Sequence, residues 1–476
     1  MAYVLCDGER IDSEGIGESH MKASSLPLDQ EPERYPLSFA QEWFVTLDQG
    51  DDGGAFGSRF VMVTPLRVTG RVDLAVLQGA LDDVIARHEL LRTLVVRDAD
   101  PPYQLVYPPC PVPLEVRDVP PVAGKSRDLV ALELIVEAQS GMVSAREVPM
   151  VRALLYRFDD RDSVLFLAVH HSVSDGWSMQ VIGRDLGAFY AARSAGVPAD
   201  LPAVRQYHEY SQWQRAMATS TAEDGAPRYW QDKLRGAREF TMPNDHGHPE
   251  SYSRPFSLYR FDIDADVMAR AAATAAATRG TLFTVLLAAW YVLAYQITGA
   301  TDLAIRAFTA GRNEQEFLDT MGLFINVVPF RTSLDGCTSF RDILTRTRET
   351  FIDSVVHELP VAVIEQSFPD FIRSREDTRT SQFLLESLQS QLDDTVIPIA
   401  EGAREINERL EETSEPGDIP SGMVWSMSVK PSGELSNRVI FNPGEFDEST
   451  VAGWASGFRR ILAGAVADPD RDWKTL

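Results

Sequence analysis

The sequence predicts an α/β protein built as two lobes of similar plan. In the first half, the strand-like segment RFVMVTPLRV (59–68) precedes a long helical pattern with an acidic residue at its start. In the second half, residues 256–296 repeat the order of strand, acidic cap and long helix, and TDLAIRAFTAG (301–311) adds a strand. A chain of 476 residues that is 44% hydrophobic can also bury a large core.

The helix of the first half is predicted over VDLAVLQGALDDVIARH (72–88), with Asp73 as its N-cap. One helical face of this segment carries Leu74, Leu77, Leu81 and Val84. Two strands follow, PMVRALLYRF (149–158) and SVLFLAVHH (163–171), joined by the turn DDRD. The second strand is apolar on both faces, which is typical of a central, fully buried strand.

A pair of histidines stands where the periodicity changes from strand to helix, in VHHSVSDGWS (169–178). The segment that follows has a helical face of Ile182, Leu186, Phe189 and Tyr190, and Gly196 can end the helix. The pair therefore lies on a short loop between a buried strand and a helix N-terminus. The first backbone amides of a helix lack intrahelical acceptors and the helix dipole favours negative charge, so an oxyanion could develop there.

Composition excludes several classes of function. The formal charge of −25 argues against nucleic-acid binding and gives no attraction to an anionic membrane. The three widely spaced cysteines, Cys6, Cys110 and Cys337, fit a reducing compartment. No secretory signal is recognised, and the most apolar segment (281–297) is shorter than a membrane span, so we expect a cytoplasmic protein with a buried core helix there.

The residue types of the histidine pair suit proton transfer. Successive strand residues point to opposite faces, so one of His170 and His171 should face the packing and the other a cleft. A neutral imidazole can take a proton from an attacking amine or alcohol near neutral pH. A structural hydrogen bond to Asp175 and a metal site are the alternatives. Opposed side chains do not converge on one ion unless the strand bends, so we predict no metal.

HHSVSDGWS (170–178) resembles the HH-x-x-x-D-G signature of condensation domains from nonribosomal peptide synthesis, within the chloramphenicol-acetyltransferase-like superfamily. Further segments resemble other motifs of this family in its order: LSFAQEWF (37–44), RHELLRT (87–93), YHEYSQWQ (207–214), MGLFINVVPFR (321–331) and, in part, HELPVAVIEQ (357–366). Glu209 stands where the family has Asp, and the late R-D-x-S-R-x-P-L motif is not clear in DTRTSQFLLE (377–386). In the family that motif helps shape the part of the site that binds the acceptor substrate, so we infer nothing about the acceptor from that segment. The resemblance covers roughly residues 36–470.

The resemblance implies two acetyltransferase-like lobes arranged as a V-shaped pseudodimer, with an active-site tunnel between them. His171 would be catalytic, either accepting the proton of the nucleophile or holding the nucleophile and stabilising charge. Gly176 would leave room and a backbone N–H beside the reacting carbonyl. His170, Asp175 and Arg312 would be structural, with the last two forming an ion pair across the lobes. The candidate tunnel residues are Ser174, Trp177, Ser178 and Asn326.

Residues 1–34 are polar, rich in Glu, Asp, Gly and Ser, and without sustained periodicity, so we predict a flexible N-terminal tail. The resemblance divides the rest of the chain into an N-terminal lobe (35–205) that holds the histidine loop and a C-terminal lobe (206–476). The remaining matched residues are expected to be structural. Gln41, Trp43, Tyr210 and Trp213 should pack in the core or between lobes, Arg87 and Arg92 should hydrogen-bond to carboxylates or backbone, and His88 should be satisfied at a helix end.

The implied activity is the condensation of a carrier-tethered acyl or aminoacyl thioester with an amine or alcohol, which forms an amide or ester in natural-product biosynthesis. No bound cofactor is expected. The donor would arrive on the phosphopantetheine arm of a separate acyl or peptidyl carrier protein in trans, and the acceptor would be a small molecule or carrier-bound. Two alternatives stay open: a coenzyme A-dependent acyltransferase of the same superfamily, and a non-catalytic carrier-binding module.

Overall fold

The structure is a computed structural model, which describes residues 31–51, 53–139, 143–220, 225–248, 256–372, 378–388, 395–406 and 422–476. Cys6, most of the expected tail and the first residue of DTRTSQFLLE lie outside the described residues.

The described part of the first half alternates strands and helices in the predicted order. Its strands are β1 (Glu33–Pro36), β2 (Val61–Thr69), β3 (Thr93–Val96), β4 (Tyr103–Val106), β5 (Leu114–Asp118), β6 (Val151–Arg157) and β7 (Asp162–His170). Its α-helices are α1 (Phe39–Thr46), α2 (Leu74–Arg87), α3 (Arg127–Gln139) and α4 (Gly176–Ala195). Asp73 caps α2 through its side chain, and Gly196 ends α4 with a positive φ of 67°, as the sequence predicts.

The second half contains the longer sheet. The strands described in the second half of the chain are β8 (Thr241–Pro243), β9 (Ser257–Ile263), β10 (Asp302–Thr309), β11 (Asn326–Ser333), β12 (Thr380–Leu388), β13 (Gly402–Glu405), β14 (Met423–Val429) and β15 (Leu435–Phe441). Its α-helices are α5 (Tyr207–Ser220), α6 (Ala226–Leu234), α7 (Ala265–Ala277), α8 (Leu282–Thr298), α9 (Phe340–Val356), α10 (Val361–Ser367) and α11 (Glu448–Ala467). Short 3-10 turns cover Glu89–Arg92, His171–Val173, Gln315–Phe317 and Trp473–Thr475.

Two large sheets define two lobes. One has the strand order β13-β2-β7-β6-β5, and the other has the order β11-β10-β12-β14-β15-β9, with β8 paired to β12. A small third sheet has the order β1-β4-β3. The α/β class and the two-lobed plan predicted from the sequence are therefore confirmed.

Strand β7 is buried on both faces, as its composition predicts. Leu165 and Leu167 join the core cluster that faces the other lobe, whereas Val164 and Phe166 join a smaller cluster under α3. Each face of the strand has apolar neighbours, so both sets of alternating side chains leave water. This burial anchors the strand whose last residue is His170.

The predicted core helix over 281–297 is α8, whose capping box is formed by Thr281 and Thr284. It is buried along most of its length, and Trp290 packs with Trp425 and Phe458 inside the second lobe. Among the described residues no single helix meets the length and hydropathy of a membrane span. The pair α7 and α8, bent by 105°, reaches those limits by length and composition only.

The two lobes are joined by more than the connection near residue 205. Strand β13 belongs to the second half of the sequence but pairs antiparallel with β2 at the edge of the first sheet. Phe324, Leu384 and Val424 of the second half also lie in the same core cluster as Leu167 of the first. Chain order alone therefore does not separate the two sheets, and the boundary at 205/206 stays a prediction.

Candidate functional site

The histidine loop is a tight connection between β7 and α4. Residues His171–Val173 form a single 3-10 turn, and Asp175 is the N-cap of α4, where its carboxylate accepts a hydrogen bond from the amide of Ser178 at 2.7 Å. An N-cap aspartate satisfies one of the unpaired amides at a helix start, which explains why the chain turns into a helix at this point. Gly176 is the first helical residue and is exposed.

His170 faces the packing. Its Nε2–H donates to the carbonyl oxygen of Gly57 at 3.1 Å, and its Nδ1 accepts from the amide of Ser172 at 3.1 Å. The side chain is fully buried, and burial lowers the pKa of His170 to about 4. A neutral ring with both nitrogens engaged has no free position for a substrate proton.

His171 faces the opposite way and is only half-buried. Its Nδ1–H donates to the carbonyl oxygen of Ser174 at 2.9 Å, so the lone pair of the neutral ring is on Nε2. Within the described ranges, Nε2 has no hydrogen-bond partner in the protein. Phe60 stacks on the ring with centroids 4.6 Å apart, and Phe44 meets it edge-on at 5.9 Å. The arrangement presents a fixed imidazole with one available basic nitrogen.

The predicted ion pair between Asp175 and Arg312 is present in the structure. One terminal guanidinium nitrogen (Nη2) of Arg312 lies 3.1 and 3.2 Å from the two carboxylate oxygens, and both side chains are buried. The other terminal nitrogen donates to the carbonyl oxygens of Phe317 and Thr320, and the guanidinium lies 3.8 Å above the ring of Phe324. The pair thus ties the loop of the first lobe to a turn of the second. Its structural rather than substrate-binding role stays a prediction.

Ser174 and Ser178 are two of the candidate tunnel residues. Both residues are fully buried. The Ser174 hydroxyl donates to the carbonyl oxygen of His170 at 3.1 Å. The Ser178 hydroxyl lies 2.7 Å from the Asp175 carboxylate and accepts from Arg312 at 3.0 Å. Both serines therefore support the loop from its buried side, and contact of either with substrate stays a prediction.

Trp177 and Asn326 connect the loop region to the second lobe in different ways. Trp177 is half-buried and its indole N–H donates to the carbonyl oxygen of Leu318 at 2.8 Å. The Asn326 amide donates to the carbonyl oxygen of Leu359 at 2.9 Å and to the Glu358 carboxylate at 2.8 Å, and accepts from the amide of Val361 at 2.7 Å. Asn326 therefore holds the turn before α10, and contact of either residue with substrate stays a prediction.

Most of the other matched residues have the expected structural environments. Gln41, Trp43 and Tyr210 are buried, whereas Trp213 is only half-buried. The Arg87 guanidinium donates to Asp185 at 2.8 Å, Arg92 donates to backbone carbonyls, and the Nε2–H of His88 donates to Asp185 at 2.8 Å. Burial lowers the pKa of His88 despite this carboxylate.

Phe60 and Phe44 are site residues that the sequence reasoning did not identify. Phe44 lies in the segment LSFAQEWF, and its position in a matched motif was a usable signal. Phe60 precedes β2, and its contact with His171 depends on the register that places Val61 opposite His170. Local sequence contains no signal for that register. In the described part of the chain, no three His, Cys, Asp or Glu side chains are grouped as metal ligands would be.

Comparison with known proteins identifies the family of the chain and solved structures with a similar fold. A family model described as the condensation domain matches residues 31–476. Chondramide synthase cmdD of Chondromyces crocatus is 31% identical over 447 residues, which are 91% of this chain but 11% of that synthase. The dimodular nonribosomal peptide synthase of Bacillus subtilis is 29% identical over 470 residues, which are 94% of this chain and 19% of that enzyme. The chain thus spans only a small part of the length of these two curated relatives.

Two solved structures resemble the chain over nearly all of its length. SgcC5 from Streptomyces globisporus, crystallised in complex with (R)-(-)-1-(2-naphthyl)-1,2-ethanediol and sucrose, is 34% identical with a TM-score of 0.84, covering 92% of this chain and 100% of that one. The X-domain from teicoplanin biosynthesis is 23% identical with a TM-score of 0.76, covering 94% and 98%. The second likeness supports the fold alone.

Proposed function

The chain belongs to the condensation domain family, and from that premise we propose that it joins a carrier-tethered acyl or aminoacyl thioester to an alcohol or amine, with an ester as the first product to test. Condensation domains are acyltransferases of nonribosomal peptide and related biosynthesis. The finer proposal concerns the substrates: a donor on the pantetheine arm of a separate carrier protein, met in the cytoplasm, and a small acceptor.

The observation that carries the proposal is the tautomer of His171. Its Nδ1–H is held by the Ser174 carbonyl oxygen, so Nε2 is the acceptor, on the half-exposed side of the loop. We infer that Nε2 takes the proton of the acceptor O–H or N–H as that atom attacks the thioester carbonyl carbon. A C–O or C–N bond forms, the C–S bond breaks, and the imidazolium returns the proton to the pantetheine sulfur.

The negative charge on the carbonyl oxygen needs a partner during this step. The amides of Gly176 and Trp177 are at the first turn of α4, where no intrahelical acceptor exists, and Gly176 is exposed. The Asp175 carboxylate beside them would oppose an oxyanion, but Arg312 compensates its charge at 3.1 Å. We propose that the ion pair leaves the positive end of the helix dipole available to the oxyanion.

The preference for an alcohol acceptor is supported by the similarity to SgcC5. That protein is 34% identical to this chain, the match covers 92% of this chain, and it was crystallised with an aryl diol. A hydroxyl nucleophile needs to lose a proton as it attacks, which a neutral imidazole at Nε2 can accept. An amine acceptor would use the same nitrogen, so the product type is decided by which acceptor fits.

The experiment is a matched acceptor assay. The protein is incubated with a panel of acyl- and aminoacyl-loaded carrier proteins, together with 1-(2-naphthyl)-1,2-ethanediol or its 2-amino counterpart, and the products are identified by mass. We expect ester with the diol, and a rate of product formation about 10²–10⁴-fold lower with a His171→Ala variant. Amide alone would overturn the ester preference, turnover of coenzyme A thioesters alone would favour the coenzyme A-dependent acyltransferase, and carrier binding without turnover would favour the binding module.

A further inference from the structure

The ring of His171 is held on one face by Phe60. The two ring planes lie within 20° of each other with centroids 4.6 Å apart, whereas Phe44 approaches from the edge with an interplanar angle of 66°. The backbone adds a second link, because the amide of His171 donates to the carbonyl oxygen of Phe60 at 2.8 Å. Together with the Ser174 carbonyl at Nδ1, these contacts leave the imidazole little freedom to rotate.

The face of a phenyl ring carries negative electrostatic potential and attracts a cation placed over it. A histidine that accepts a proton becomes such a cation during the reaction. We propose that Phe60 is a positioning residue for His171, which fixes the imidazole plane and stabilises the imidazolium formed when the acceptor loses its proton. The proposal rests on the role inferred above for His171, but its test needs no substrate.

The charged groups near His171 stay the same when Phe60 is replaced by another uncharged residue. On the same loop, His170 is neutral and Asp175 is paired with Arg312. On neighbouring elements within the described residues, Glu42 of α1 is paired with Arg215, Arg97 after β3 is paired with Asp48 and Asp51, and Arg59 beside Phe60 is exposed. Replacing Phe60 with another uncharged residue leaves this set unchanged. A shift in the pKa of His171 after that replacement would therefore report on the ring itself.

The decisive variant is Phe60→Leu, which keeps an apolar contact but removes the ring face. We expect the proton affinity of His171 to fall about two- to five-fold, since a cation over an aromatic face at a partly exposed site is stabilised by that order. The measurement is an NMR titration of the full chain with labelled histidines, in which His171→Ala identifies the signal. The acid limb of the turnover profile should move to lower pH in parallel.

Two further variants separate the electrostatic effect of the aromatic face on the pKa of His171 from the effect of packing. Phe60→Tyr keeps the face and should titrate like the unmodified protein. Incorporation of 3,4,5-trifluorophenylalanine at position 60 keeps the shape but removes most of the negative face, so it should lower the pKa of His171 as Leu does. Phe189→Leu is the matched control, because Phe189 is a half-buried ring of α4 that packs on the same core cluster, whereas the rings stacked on or edge-on to His171 are those of Phe60 and Phe44.

The outcomes are distinct. A lower pKa of His171 in Phe60→Leu and in the fluorinated protein, with Phe60→Tyr and Phe189→Leu unchanged, supports the proposal. An unchanged pKa in a folded Phe60→Leu protein overturns it, as does an equal shift in Phe189→Leu. If Phe60→Leu does not fold, the fluorinated protein decides alone. Loss of the proposed acyl transfer would leave this titration unaffected, so the two proposals fail separately.

Discussion

The loop between β7 and α4 has two sides that use their polar atoms in opposite ways. On the buried side, His170, Ser174, Asp175, Ser178 and Arg312 are almost fully excluded from solvent and hydrogen-bonded to one another or to backbone. On the open side, His171 and Gly176 retain exposure, and the Nε2 atom of His171 has no partner within the described residues.

This difference separates the residues that stabilise the loop from the residue proposed to take part in the reaction. His170 and His171 are chemically identical neighbours, yet burial keeps His170 neutral and in a structural role. His171 makes one hydrogen bond, from Nδ1 to the Ser174 carbonyl oxygen, which leaves the lone pair of Nε2 accessible. Loss of a buried polar partner strands a desolvated group and lowers stability. Loss of the half-exposed His171 side chain removes one hydrogen bond, to the Ser174 carbonyl oxygen, so its main effect should appear in turnover.

The largest expected effect comes from the open side. His171→Ala should lower turnover by about 10²–10⁴-fold, equivalent to about 2.7–5.5 kcal/mol of barrier, because a positioned general base contributes that much. Thermal unfolding and donor-carrier affinity should change little. Single-turnover rates test this, with His246→Ala as the control, since His246 is an exposed histidine paired with Asp447. An intact rate in His171→Ala would refute the base and favour the binding module.

A comparable effect on stability is expected from the buried side. Asp175→Ala leaves the Arg312 guanidinium buried without its carboxylate, which should lower the free energy of unfolding by about 3–5 kcal/mol. The control is Asp262→Ala, which breaks the exposed pair with Lys430 and should cost less than about 1 kcal/mol. Both are measured by denaturant unfolding. Full stability in Asp175→Ala with loss of substrate binding alone would contradict the structural assignment.

The neutral state of His170 predicts a pH dependence of stability. Its pKa is about 4 in the folded chain and about 6.5 in an unfolded one, so the unfolded state binds more protons between these values. Stability should be complete above about pH 6.5 and fall towards pH 4, by roughly 3 kcal/mol from this residue. His88, whose pKa is also lowered, acts in the same direction.

His170→Asn removes one of these two titrations. We expect a less stable protein whose unfolding free energy depends less steeply on pH between 4 and 6.5 than that of the unmodified chain. Unfolding curves at a series of pH values measure the slope. An identical slope in the two proteins would show that His170 is not held neutral by burial.

The smallest expected change in stability is at Gly176. A Cβ atom at this position meets no heavy atom within 4 Å, and its φ lies outside the left-handed region, so Gly176→Ala should keep or raise stability by up to about 1 kcal/mol. Reduced turnover in that stable variant would assign the open space to substrate. Unchanged turnover would remove Gly176 from the catalytic residues.

Much of the fold was predictable because local patterns encode it. The Asp73 cap, the doubly apolar strand β7 and the end of α4 at Gly196 all follow from residues within a turn or two of each other. The placement of β13 was not predictable, because an edge strand 333 residues from its partner Thr69 in sequence has no local signal. The burial of Ser174 and Ser178 was also missed, since a loop sequence does not say which side faces a second lobe.

The sequence by itself determined the class of fold, the family resemblance and the position of the histidine loop between a strand and a helix, because these depend on periodicity, caps and short motifs. Only the tertiary structure decided that Nε2 of His171 has no partner among the described residues, that Phe60 stacks on this ring, and that β13 pairs with β2 at the edge of the first sheet. The physical reason is that burial and hydrogen-bond partners are set by how two sheets pack together. That packing is a property of the whole chain and of no single segment.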